Sequence, residues 1–131
     1  MFVIGLVTAL VAPRFAAMMP GAVLRQTTMQ LAADLRGARN KSIAAGKAVA
    51  VSFDAEGRTY ESSLGSATAD WPEKVQFEIA VPDNMLNESE QPQILFYPDG
   101  SSTGGEILCS SVGRSIRVKV NWLAGWVSVE G

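Results

Sequence analysis

Histidine is missing from this sequence altogether, and cysteine occurs once, as Cys109. These two absences exclude Ser-His-Asp and Cys-His nucleophile systems, imidazole acid/base chemistry, Cys/His zinc sites and any disulfide within the chain. An excess of basic charge is missing too. The formal net charge is -2 and the pI about 5.1, so a dedicated nucleic-acid binder, which rests on a strongly basic domain, is disfavoured. At 131 residues the chain has room for one ordinary domain. What it has in quantity is apolar material: 47% hydrophobic residues against 18% charged is too apolar for a disordered chain.

Charge is also absent locally. Residues 1–13 carry none, residues 14–47 sum to +5, residues 48–113 to -9 and residues 114–131 to +2. The near-neutral total is a sum of opposed blocks. In the first block, Phe2, Val3, Ile4, Leu6, Val7, Leu10 and Val11 form an apolar run closed by Pro13 and Arg14. A membrane-spanning helix needs roughly 20 apolar residues, and this run supplies about 12. A signal peptide would need a basic start that Phe2 and Val3 do not provide. A buried core helix is a second reading, and the distal part of a longer apolar helix a third, which the rest of the sequence favours.

From residue 22 the pattern turns amphipathic. Leu24, Thr28, Leu31, Leu35, Ala38 and Ser42 fall at alternating spacings of four and three, one stripe of a helix expected over about 22–46. Arg25, Arg36 and Arg39 lie off that stripe. Gly46 is a suitable stop, and Pro20-Gly21 allows a break or a kink. If continuous, a helix over residues 1–45 would reach roughly 65 Å, so one end would project from the domain.

Beyond residue 47 the period falls to two. Val49, Val51 and Phe53 alternate with smaller residues, a turn follows at 54–57, and 58–62 supplies a partner strand. Further strands are expected at 75–79, 93–97, 106–109, 115–122 and 126–130, with exposed loops at 63–73 and 82–92. Short connections make neighbouring strands antiparallel. The fold class is α+β: a long N-terminal helix packed on an antiparallel β-sheet domain, with room for two small sheets. Residues 1–21 form the apolar anchor or assembly segment and 22–131 the globular domain.

Four stretches together resemble the H-type minor pseudopilins of bacterial type II secretion, the GspH/FimT family of type IV pilin-like proteins. They are Ile4-Gly5-Leu6-Val7-Thr8-Ala9-Leu10-Val11-Ala12-Pro13-Arg14-Phe15, Leu31-Ala32-Ala33-Asp34-Leu35-Arg36-Gly37-Ala38-Arg39, the glycine-rich Phe96-Tyr97-Pro98-Asp99-Gly100-Ser101-Ser102-Thr103-Gly104-Gly105, and Val118-Lys119-Val120-Asn121-Trp122-Leu123-Ala124-Gly125-Trp126-Val127. The resemblance implies a structural subunit, not an enzyme, without cofactor or metal, at or near the tip of a periplasmic pseudopilus. Its implied partners are other minor pseudopilins, the major pseudopilin, the inner-membrane secretion platform and, for a full-length precursor, the prepilin peptidase. It also implies a single-pass inner-membrane location before assembly, with the domain in the periplasm. A basic leader and a glutamate-bearing start, which the family carries upstream, are expected ahead of Met1. The Arg14 and Arg25 that follow the apolar run would, by the positive-inside tendency alone, put the domain on the opposite side.

Other sites compete weakly. Residues 100–105 have the glycine spacing of a phosphate loop, but Glu106 stands where that motif needs lysine, so a structural turn is expected. Cys109 reads as a small buried side chain. Asp83, Glu88 and Glu90 lack the spacing of a calcium loop. Arg114, Arg117 and Lys119, near Trp122 and Trp126, are the one nucleic-acid footprint, the patch a DNA-uptake minor pilin of a type IV pilus would use. Arg25, Arg36 and Arg39 are the candidate inter-subunit contacts, oriented by charge against the acidic block.

Overall fold

In the computed structural model, residues 20–63, 68–82, 85–86 and 90–130 are described. The expected anchor residues Phe2, Val3, Ile4, Leu6, Val7, Leu10, Val11 and Pro13 lie outside them, as do Asp83 and Glu88. Among the described residues, no helix is long and apolar enough to cross a membrane.

The stripe reads out as one helix, α1 (Pro20–Ala45), in which Pro20 and Gly21 are both helical. Leu24, Thr28, Leu31, Leu35, Ala38 and Ser42 are all buried. The buried Thr28 hydroxyl donates back to the Leu24 carbonyl at 2.7 Å, which satisfies it inside the core. Burial of Leu31 and Leu35 contributes about 1.5 to 3 kcal/mol each. The helix ends at Gly46, whose φ of 65° lets Gly46 and Lys47 N–H turn back onto the Ser42 carbonyl.

Eight strands follow: β1 (Val49–Asp54), β2 (Thr59–Ser62), β3 (Thr68–Asp70), β4 (Gln76–Ala80), β5 (Gln93–Phe96), β6 (Gly105–Ser111), β7 (Arg114–Val120) and β8 (Val127–Glu130). They make two four-stranded antiparallel sheets, ordered β3-β2-β1-β5 and β4-β6-β7-β8. Alternation sends Val49, Val51, Phe53, Ile94 and Phe96 of the first sheet, and Ile107, Cys109, Val118 and Val120 of the second, into one core under α1.

The expected loop at 63–73 is corrected in part. Its end carries β3, paired with β2 through Thr59↔Asp70, and its Trp71 is buried. Trp71 stacks on Phe77 at 4.3 Å and lies 5.6 Å from Tyr60. An aromatic of this size stabilises more inside the core than a polar segment's average composition suggests. The second expected loop, 82–92, holds a bridge between Leu86 and Pro92.

Candidate assembly surface

Three regions hold the residues singled out from the sequence. The first is the end of the domain where α1 finishes. Arg39 Nε donates to the Gly100 carbonyl at 3.0 Å and the Ala124 carbonyl at 3.2 Å, joining α1 to the turns after β5 and after β7. Ser42 Oγ donates to the Tyr97 carbonyl at 3.1 Å, and Arg36 Nη2 to the Val127 carbonyl at 2.8 Å. The two turns also touch: a Cβ on Gly125, at φ +69°, would stand 2.0 Å from the Gly100 oxygen. Glycine at 125 is therefore a requirement of close approach as well as of backbone sign. Within the second turn, Asn121 Oδ1 accepts from the Leu123 and Ala124 N–H groups. Held this way, the turn projects Trp122, Leu123 and Trp126, which are 68%, 68% and 69% exposed. Trp126 and Val127 face Arg36, Arg39 and Asn40 across an open depression of about 370 Å³.

The second region is the outward face of α1. Ala22, Arg25, Met29, Ala33, Arg36, Asn40 and Ile43 recur at spacings of three and four on the side opposite the buried stripe. This face carries half-exposed Met29 and Ile43 among small and basic residues. Of the three candidate contact arginines, Arg36 and Arg39 donate to carbonyls of their own chain, whereas Arg25 has no such bond among the described residues. Reversing the charge at Arg39 therefore disturbs the fold, and only Arg25 is free for a purely external contact. The one acid of this segment, Asp34, accepts from Gln30 at 3.0 Å and from the Tyr60 hydroxyl at 2.5 Å, a link between helix and first sheet that sequence reasoning missed. Burial, and then Asp34, pushes the Tyr60 phenol well above its ordinary range.

The third region is the outer face of the second sheet. Arg117 and Lys119 point outward as expected, but register places acids directly opposite them: Glu130 across from Arg117 and Glu106 across from Lys119. Glu106 lies 3.7 Å from Arg117 and 3.8 Å from Lys119, and Lys119 lies 3.7 Å from Glu130. The pairs are half exposed, so each adds little to stability, yet together they neutralise the patch. Arg114 stands apart at the β6–β7 hairpin, and the two exposed tryptophans stand at the other end of β7. Basic groups and aromatics do not form the continuous stripe that stacking on a nucleic-acid strand uses.

Of the remaining candidates, the 100–105 segment is a turn region in which Gly104 has φ +80°. Cys109 is buried and burial pushes its thiol up to about 11, as expected for a core side chain.

Comparison with known proteins gives a consistent result. The family model described as "Type II transport protein GspH" matches residues 27–124. Type II secretion system protein H of Xanthomonas campestris pv. campestris is 31% identical over 107 residues, 82% of this chain. The chain spans 63% of the length of that relative. Among solved structures, the minor pseudopilin EpsH of Vibrio cholerae superposes with a TM-score of 0.66 at 13% identity, covering 84% of this chain and 94% of that one. The type IV minor pilin FimU of Pseudomonas aeruginosa gives a TM-score of 0.66 at 13% identity over 89% of this chain and 92% of its own. At such identities the two structures show a shared pilin-like fold.

Proposed function

This chain belongs to the GspH family, and from that premise we propose that it works as a minor pseudopilin, a structural subunit at or near the tip of a type II secretion pseudopilus. The observation that carries the reading is the two-faced helix. One face of α1 is sealed by both sheets, while the opposite face presents Met29, Ala33 and Ile43, apolar enough to pack and interrupted by bases. In a filament this face is buried against neighbouring pilin-like subunits, with Arg25 meeting acidic sheet surface of the next domain. The apolar residues 1–13 hold the subunit in the inner membrane before assembly and join the central helical bundle after it, with the domain in the periplasm throughout. Moving a large apolar side chain from lipid to bundle gains little hydrophobic energy, so extraction relies on helix packing and partner contacts. The partners are other minor pseudopilins, the major pseudopilin and the inner-membrane platform.

Co-purification with the pseudopilins of the same bacterium tests this. Arg25→Glu and Met29→Glu are expected to abolish capture while leaving the thermal transition unchanged, and undiminished capture overturns the proposal. A type IV pilus minor pilin used in DNA uptake, the reading the FimU fold match keeps in play, predicts instead a salt-dependent DNA affinity that falls with Arg117→Ala and Lys119→Ala.

A further inference from the structure

The hairpin between β6 and β7 is built against local preference. Its central residues Val112 and Gly113 have φ of 50° and 76°, and Ser111 pairs with Arg114 across them. Two-residue turns with positive φ at both positions favour Asn-Gly, and a β-branched residue in the first is a steric outlier. Burial does not explain the choice, because Val112 is 75% exposed. A strained residue kept at an exposed tip points to a contact outside the domain.

The surroundings say what kind. Beside the tip is an open depression of about 480 Å³ lined by Lys74, Gln76, Ser110, Arg114 and Ser115 along with the turn, and among the described residues no acid lines it. That is notable in a stretch, residues 48–113, with eleven acids and only Arg58 and Lys74 as bases. Arg58 donates to the Pro72 and Val75 carbonyls, which leaves Lys74 as the outward base of that block. Beneath the turn, the buried Ser111 hydroxyl has no partner among the described residues.

Cys109 of β6 meets Thr28, whereas Arg39 meets Gly100 and Ala124, so β6 continues from Cys109 to the hairpin toward the N-terminal end of α1. Pro72, two residues before Lys74, shares a groove with Val23, Gln26 and Thr27 of the same end. This is the end of α1 that the chain reaches from its uncharged, apolar residues 1–13.

We infer that the Val112-Gly113-Arg114 hairpin and Lys74 form a contact site for anionic phospholipid headgroups, engaged while the subunit is held at the membrane. Val112 enters the apolar side of the headgroup layer, Arg114 and Lys74 take phosphate oxygens, and Ser110 offers a hydroxyl donor beside them. The contact fixes the domain's orientation over the bilayer and is given up when the subunit is drawn into the filament. This rests on the reading of residues 1–13 as an anchor. Two bases close to an anionic surface bias the domain toward contact by roughly 30-fold.

The test uses the full chain reconstituted into phosphatidylethanolamine vesicles with or without phosphatidylglycerol, carrying an environment-sensitive dye at Ser115→Cys or, at the opposite end, Leu123→Cys. The expected result is a blue shift and protection from aqueous iodide at position 115 alone, and only when phosphatidylglycerol is present. Lys74→Glu with Arg114→Glu should remove that protection while the chain still floats with the vesicles. Flotation with position 115 fully quenched overturns the headgroup site and leaves the anchor standing. Failure to float overturns the anchor reading and the inference with it. Protection at both positions means general adsorption, and protection by inorganic phosphate without vesicles means a soluble-anion site, either of which overturns the lipid assignment.

Discussion

The two ends of strand β7 are built by opposite means. At its C-terminal end the chain turns through 121–126 in a web of hydrogen bonds that ties α1 to the turns after β5 and β7, through Arg39, Gly100 and Ala124. At its N-terminal end, two residues make the whole connection, one of them a valine at φ 50°. The first end is stabilised by contacts within the domain and uses that rigidity to hold three large apolar side chains in solvent. The second accepts local strain to present one. Exposure of apolar residues here thus has two structural origins, a braced platform and a strained tip, and mutations separate them.

The largest effect is expected where the two turns meet. Gly125→Val adds a Cβ at a position 2.0 Å from the Gly100 oxygen, so the turns must part. A loss of about 3 kcal/mol or more is expected in urea unfolding, from overpacking and left-handed backbone strain together. Arg39→Met comes next. It keeps the aliphatic stem but removes the donor to both carbonyls, and a charged donor of this kind contributes roughly 1.5 to 3 kcal/mol. If the brace is what presents the tryptophans, the same variant broadens the NMR signals of the Trp122 and Trp126 indoles and leaves Trp71 sharp.

An intermediate effect depends on pH. The Cys109 thiol is pushed from its ordinary 9.0 to about 11 by burial, so the folded state holds that proton more tightly than the unfolded chain. Its contribution is complete below pH 9 and declines as pH rises from 9.0 toward about 11. Tyr60, raised by burial and Asp34, adds a decline of the same sign that begins above its ordinary value of 10.0. Cys109→Ala should therefore flatten the alkaline arm of the stability profile near pH 10 relative to its own neutral value, and Tyr60→Phe should flatten the part beyond it. The smallest effect belongs to the strained end: Val112→Asn relieves the left-handed valine and should raise stability by about 1 kcal/mol in the same denaturation assay.

These contrasts also mark what could be read from the chain. The stripe from Leu24 to Ser42 and the alternation of Val49, Val51 and Phe53 specify their elements locally, because burial follows helical and strand periods. The turn over 100–105, where Gly104 takes a φ of 80°, was legible by a different signal, glycines in a polar stretch between strands. β3 was not, since three residues of a polar segment become a strand only through pairing with β2. Arg39 read as a surface base because its carbonyl partners lie 61 and 85 residues away. The neutralisation of Arg117 and Lys119 likewise depends on cross-strand register, which brings Glu106 and Glu130 beside them. Sequence reveals which residues are basic, while register and loop closure decide which of them remain available.

In the proposed assembly, the outward face of α1 is the surface on which this subunit meets its neighbours. Site-specific cross-linking tests it most directly, with a cysteine at Ala33 in cells that assemble the secretion apparatus. The expected result is a cross-link to another pseudopilin that disappears when Met29→Glu is added, while the variant domain keeps its wild-type thermal transition. No cross-link from Ala33→Cys under conditions of active assembly, or a cross-link indifferent to Met29→Glu, would contradict it.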